Sequence, residues 1–167
     1  MSTPHADVIS PLDVARKIPS LIRKAPRMIK GLMMANSTDT STPLGLAWAF
    51  EKSTQEHPHG IALYYQDQQF SYSQFNQWAN RIAHHFLAQG LKKGDVAVVL
   101  IENRPELLVT VLGLAKIGVV SALVNTSQTG KVLTHSINLV EPKAIIVGAE
   151  CVQAVTTAPQ NTYAPSD

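Results

Sequence analysis

The feature that most restricts how this chain can fold is an alternation of amphipathic helical stretches with short, unbroken apolar runs between residues 73 and 148. Val96 to Ile101 (VAVVLI) contains no polar residue. A strand without period-two alternation has to be covered on both faces, as in the interior of a parallel sheet. Before it, apolar residues at Phe75, Trp78, Ala79, Ile82, Ala83, Phe86 and Leu87 fall on one helical face. Ser73 is the expected N-cap, and Gly90 suits the left-handed position that ends a helix. Lys93-Gly94-Asp95 then turns the chain into the apolar run. The cycle repeats with Asn103 as a cap, Pro105 and Glu106 in a first helical turn, Lys116 in the last turn and Gly118 as the stop. Val119 to Val124 is the next expected strand. A third helix, from about Thr129 to Val140, is broken by Pro142 and followed by a strand from Ala144 to Val147. Helices and apolar strands at this spacing predict right-handed βαβ units, so the chain reads as α/β, alternating βα units with a mainly parallel sheet.

Upstream, Leu44 to about Gln55 reads as a helix ended by His57-Pro58-His59-Gly60. Ile61 to Tyr65 and Gln69 to Tyr72 read as two strands joined through Gln66, Asp67 and Gln68. Residues 36–43 (NSTDTSTP) have the composition of a polar linker. The expected organisation is a basic amphipathic arm over residues 1–36, a linker over 37–43, and a body over 44–167.

Charge is unevenly spread. The whole chain carries a net +2, but residues 1–36 hold Arg16, Lys17, Arg23, Lys24, Arg27 and Lys30 against Asp7 and Asp13. Apolar residues spaced near the helical period run through residues 11–35, and Pro19 and Pro26 divide them into short helical pieces. Two readings of this arm stand open. It can lie in the headgroups of an anionic membrane, each cation contributing on the order of 1 kcal/mol, or it can fold over its own domain. The small net charge gives no support to a nucleic-acid partner.

A composition of 45% hydrophobic and 16% charged residues is that of a globular protein of one domain. Cys151 is the chain's one cysteine, which excludes an internal disulfide and fits a reducing compartment. The first ten residues lack a basic region followed by an apolar stretch, so no cleaved secretory signal is expected. Leu107 to Val124 holds eighteen residues with one charge, Lys116. Its change from helical to β-branched character at Gly118 predicts a buried helix and strand rather than a membrane span. The expected location is cytoplasmic, or peripheral at the inner face of a membrane.

Several chemistries lack their residues. Around Gly130-Lys131 a P-loop would need glycine at Asn125 and a hydroxyl at Val132. No G-x-G-x-x-G follows a strand and no G-x-S-x-G elbow occurs. His84 and His85 are adjacent, about 100° apart on a helix, and read as a solvated face rather than a metal pair. His57 and His59 read as turn surface. His135 has no acidic partner in local reach and is expected to pack or to bond a neighbouring loop. Glu106 is explained by the helix dipole, so Glu102 and Glu106 do not make a glycosidase pair.

Three stretches together resemble a known family. Phe70-Ser71-Tyr72-Ser73-Gln74-Phe75, leading through a helix to Gly90 and then Gly94-Asp95-Val96, resembles the opening of the adenylate-forming (AMP-binding) superfamily of acyl-CoA synthetases, luciferases and adenylation domains. Leu114-Ala115-Lys116-Ile117-Gly118 followed by Val119 to Asn125 resembles its second block. Gly113 to Gly118, Ala122-Leu123-Val124-Asn125-Thr126, Leu133, His135-Ser136 and Ala144 to Gly148 are similar to the long-chain and very-long-chain fatty acyl-CoA synthetase and fatty acid transport protein branch. That branch usually has arginine where this chain has Thr129, and often asparagine at Ser127.

The resemblance covers roughly residues 44–150 and implies a two-step ligation. A fatty acid carboxylate attacks the α-phosphate of ATP to give acyl-AMP and pyrophosphate, and the thiol of coenzyme A then displaces AMP. ATP, Mg2+ and coenzyme A are what the full-length family uses, with fatty acid as partner substrate. The family's phosphate loop, its Tyr-x-x-[ST]-Glu segment and its C-terminal catalytic lysine do not occur in these 167 residues. No catalytic, cofactor or metal residue is therefore carried over, and no cofactor is expected on this segment. Tyr72, Gly90, Gly94, Asp95, Lys116 and Gly118 are assigned to caps, turns and packing. Asn125, at the carboxyl end of a parallel strand, is the one candidate to touch substrate. The expectation is an inactive N-terminal portion of a fatty acyl-CoA synthetase, shortened by a frameshift, early stop or incomplete gene record. The alternatives are a non-catalytic, membrane-associated α/β interaction module and, last, a small flavodoxin-like ligand-binding domain.

Overall fold

A computed structural model describes residues 45–158 and three helical positions upstream, Ala25, Pro26 and Ile29. The remainder of the basic arm, and the linker, lie outside the described residues. The chain divides into two units, Met1–Thr42 and Pro43–Asp167, and every strand described belongs to the second.

The elements run α1 (Leu46–Glu56), β1 (Ile61–Tyr65), β2 (Gln68–Ser71), α2 (Tyr72–Ala88), β3 (Val96–Leu100), α3 (Pro105–Lys116), β4 (Val120–Leu123), α4 (Gly130–Asn138), β5 (Ala144–Val147), a 3-10 turn (Ala149–Cys151) and α5 (Val152–Thr156). β3 is central in a parallel sheet of order β4-β3-β5. β4 and β5 lie on opposite sides of β3, so two right-handed crossovers must put their helices on opposite faces. The packing shows this directly. Ala97, Val99 and Ile101 pack with Leu114 of α3, while Val98 and Leu100 pack with Leu133 and Ile137 of α4. The middle strand is thus buried on both faces, as its unbroken apolar run requires. The apolar stretch Leu107 to Val124 resolves into α3 and β4, and no described helix is long and apolar enough to cross a membrane.

The antiparallel pair β1-β2 forms a separate hairpin. Its tip is shorter than expected: Gln68 pairs with Tyr65, leaving Gln66 and Asp67, with Gln66 in the left-handed region at φ 51°. The hairpin packs on an aromatic cluster in which Phe75 lies 5.7 Å from Phe50, 6.3 Å from Phe70 and 6.1 Å from Trp78, ring centre to ring centre. Ala79, Val109 and Leu112 complete that cluster, so it welds α1, the hairpin and α2 onto α3.

Two expected caps move. Ser71, not Ser73, is the N-cap of α2: its hydroxyl accepts from the Gln74 N–H at 3.2 Å, and the Gln74 side chain accepts from the Ser71 N–H at 2.9 Å. This reciprocal pair needs Glu or Gln at the third helical position; Ser71 has Gln74 there, whereas Ser73 would have the shorter Asn76. At α3 the N-cap position is Arg104 rather than Asn103, and no side chain caps it. Pro105 occupies the first helical position and forces the residue before it into the extended region, which moves the boundary by one. Gly90 has φ 87°, as expected of a helix-stopping glycine.

Candidate functional site

Asp95 belongs to the amino edge of the sheet. Its carboxylate accepts from the Lys92 N–H at 2.8 Å and the Lys143 ammonium at 3.1 Å. Its carbonyl accepts from Val120 N–H at 2.8 Å, and Gly94 N–H donates to Gly118 carbonyl at 3.0 Å. The starts of β3, β4 and β5 are therefore tied together by the Gly94-Asp95 turn. The Lys92 N–H, and after it Lys143, hold the Asp95 carboxyl below the usual carboxylate range. Gly118 is at φ 72°, and a Cβ there would lie 2.8 Å from Lys93 Cγ. Lys116 does more than complement a helix dipole, since its ammonium pairs with Glu51 of α1 while its side chain is only 7% exposed.

The carboxyl edge is where open α/β sheets receive ligands, at the point where successive connections leave in opposite directions. Asn125 follows β4 and stands at that edge, as the sequence places it. It is exposed, its side-chain oxygen accepts from the Ser127 N–H at 2.9 Å, and its carbonyl accepts from the Gln128 N–H at 3.1 Å. Those bonds give it the geometry of a turn-forming residue.

The same edge holds an ion pair that the sequence did not single out. Glu150, in the 3-10 turn after β5, accepts from the Glu102 N–H at 2.9 Å through Oε1 and from the Arg104 guanidinium at 2.9 Å through Oε2. Glu106 lies 3.8 Å from Arg104 Nε. The Glu102 N–H foremost, then the backbone N–H of Glu150 itself and the Arg104 charge, hold the Glu150 carboxyl low. Burial, reinforced by Glu150 and Glu102, pushes the Cys151 thiol up, which makes it a poor nucleophile. No local signal pairs Arg104 with a carboxylate 46 residues on. Only the parallel pairing of β3 with β5 brings them together.

The described histidines assemble no site. His57, His59, His84 and His85 are exposed, as expected, and His135 is exposed as well rather than packed. It falls on the face of α4 opposite Leu133 and Ile137, which meet the sheet. Among the described residues no three His, Cys, Asp or Glu side chains come together to hold a metal ion.

The parallel sheet with α3 on one face and α4 on the other makes a three-layer α/β unit. The AMP-binding enzyme pattern matches residues 50–165, and the chain belongs to that family. It is 28% identical over 144 residues to the medium/long-chain-fatty-acid–CoA ligase FadD6 of Mycobacterium tuberculosis, which covers 86% of this chain and 24% of that protein. It is 34% identical over 107 residues to long-chain fatty acid transport protein 6 of Mus musculus, covering 64% of this chain and 17% of that protein. Among solved structures, a Mycobacterium tuberculosis fatty acyl CoA synthetase superposes with a TM-score of 0.67 at 25% identity, covering 72% of this chain and 25% of that one. The chain thus spans about a quarter or less of the length of these relatives. Both the α/β fold and the fatty acyl-CoA synthetase and transport protein resemblance expected from the sequence agree with these similarities.

Proposed function

We propose that this chain supplies the N-terminal α/β layer of an AMP-forming fatty acid–CoA ligase, which joins a fatty acid to coenzyme A through an acyl-adenylate with release of pyrophosphate. The observation that carries the reading is the similarity to FadD6 along 86% of the chain, together with the superposition on a fatty acyl CoA synthetase. The role assigned to the segment is framing rather than chemistry. Adenylation builds negative charge on phosphate oxygens, and fixed cations and donors must meet it. Arg104, at the carboxyl edge of this sheet, is engaged by Glu150 and Glu106 rather than free for that role. Asn125 contributes by shaping the loop between β4 and α4 at that edge. Alone, the segment is proposed to be inactive.

Fatty-acid-dependent exchange of pyrophosphate into ATP tests both parts. The isolated chain is expected to give no exchange above a blank without fatty acid. A chimera carrying this segment in place of the matching part of FadD6 is expected to retain it. Exchange by the isolated chain overturns the framing role, and a folded chimera that activates no fatty acid overturns the ligase reading.

A further inference from the structure

The segment after β5 is tied to the rest of the edge in an unusual way. The last rung joining β5 to β3 is the Gly148 N–H to the Leu100 carbonyl at 2.8 Å, and Cys151 N–H then donates to Gly148 carbonyl at 2.9 Å to form the 3-10 turn. Beyond that rung, the turn reaches the β3–α3 loop through the Glu150 carboxylate alone among its recorded hydrogen bonds. Gly148 has φ −65° and ψ 149°, a conformation open to any residue, so the glycine is not there for backbone freedom. What it supplies is room: a Cβ at Gly148 would overlap the Glu150 carboxylate, lying 2.6 Å from its Cδ. Directly behind the turn, Cys151 is 4% exposed and packs with Val98, Leu100, Leu133 and Ile137.

We propose that Glu150 is a built-in latch at the carboxyl edge between β3 and β5: its carboxylate, folded back over Gly148 onto the Glu102 N–H and the Arg104 guanidinium, keeps the turn that buries Cys151 closed. The two bonds are charge-assisted and use both carboxylate oxygens, which fixes the position of the turn as well as holding it. Glu106, 3.8 Å from Arg104 Nε, competes for the same guanidinium, so the latch depends on Arg104 remaining paired with Glu150. The carboxyl edge is the place an open α/β sheet offers to ligands, and any anion seeking the same donors has to displace the chain's own carboxylate. The latch is independent of the ligase reading, and its test reads no ligase activity.

Because Cys151 is the chain's one cysteine, its modification rate by a dipyridyl disulfide reports the opening of the turn without interference. Glu150→Gln and Arg104→Gln are expected to speed labelling roughly tenfold or more, the scale of a lost hydrogen bond to a charged group. Gly148→Ala is expected to do the same with every charge retained, because the methyl group expels the carboxylate. Glu106→Gln should leave the rate near that of wild type. Urea separates local from global opening: labelling through the latch varies little with low urea, whereas labelling through whole-chain unfolding rises steeply. Wild-type labelling rates in both Glu150→Gln and Gly148→Ala overturn the latch, and so does an acceleration that climbs with urea as global unfolding does.

Discussion

Replacing Gly113 with alanine places a methyl group where α3 crosses α2. The added Cβ would lie 2.7 Å from Ile82 Cγ2, 2.8 Å from Ile82 Cβ and 2.9 Å from the Ala79 carbonyl oxygen. Ordinary contact begins near 3.5 Å, so the neighbours must withdraw by roughly 0.6–0.8 Å. The Ile82 methyl can change rotamer, but Ile82 Cβ and the Ala79 carbonyl move only with the α2 backbone. α2 is in turn held by buried Phe75, Ala79 and Ala83. Overpacking of this kind costs about 1–3 kcal/mol. Against it stands the gain from removing a glycine inside a helix, about 1 kcal/mol. Because two of the three obstructing atoms cannot yield alone, the overpacking cost lies in the upper part of that range, about 2–3 kcal/mol, and the net expectation is a loss of about 1–2 kcal/mol. For a unit of this size that lowers Tm by roughly 4–10 °C. Thermal and urea melts followed by circular dichroism measure it directly. Ile82→Ala in the Gly113→Ala background should recover only part of the loss, since Ile82 Cβ and the Ala79 carbonyl remain in place. An unchanged or higher Tm for Gly113→Ala would mean that helix propensity outweighs the close approach, and would refute the reasoning.

Two further predictions concern charge. Lys116 is nearly buried while its partner Glu51 is half exposed, with side-chain exposures of 7% and 49%, so the two halves of the pair are not equivalent. Glu51→Gln strands a buried ammonium and is expected to cost about 1–3 kcal/mol; Lys116→Met leaves a carboxylate that water can take up and should change stability by about 0.5 kcal/mol or less. Equal losses in urea melts would count against this asymmetry. Asp95 has a folded-state carboxyl held low by the Lys92 N–H and Lys143, so its stabilising effect is complete above the ordinary carboxylate range and fades as pH falls through the depressed value. Asp95→Asn should therefore flatten the acid limb of a stability–pH profile and leave its shape above pH ~6 unchanged; an acid limb identical to wild type removes Asp95 from the account.

Much of the fold was legible because its signals are local. The unbroken run Val96 to Ile101 demands cover on both faces, and the tertiary structure provides it with α3 on one side and α4 on the other. The strand Ala144–Val147 and the helix stop at Gly90 likewise follow from nearby residues alone. Boundaries slipped where two local signals compete. Ser71 and Ser73 can each cap a helix, and the reciprocal bond with Gln74 decides between them. Asn103 is a good cap by residue type, but Pro105 overrides it by restricting the residue before it.

By itself the sequence determined the class of fold, the order of its strands along the chain and the family resemblance, because hydrophobic period, glycine stops and motif spacing act within about twenty residues of one another. Strand order in space belongs to the tertiary structure. Placing β5 beside β3 rather than beyond β4 brings Arg104 to Glu150 across 46 residues. Helix packing, likewise, sets Gly113 against Ala79 and Ile82, and Lys116 against Glu51. Such contacts depend on which surfaces remain to be covered once the local elements have formed, and no spacing along the chain encodes that.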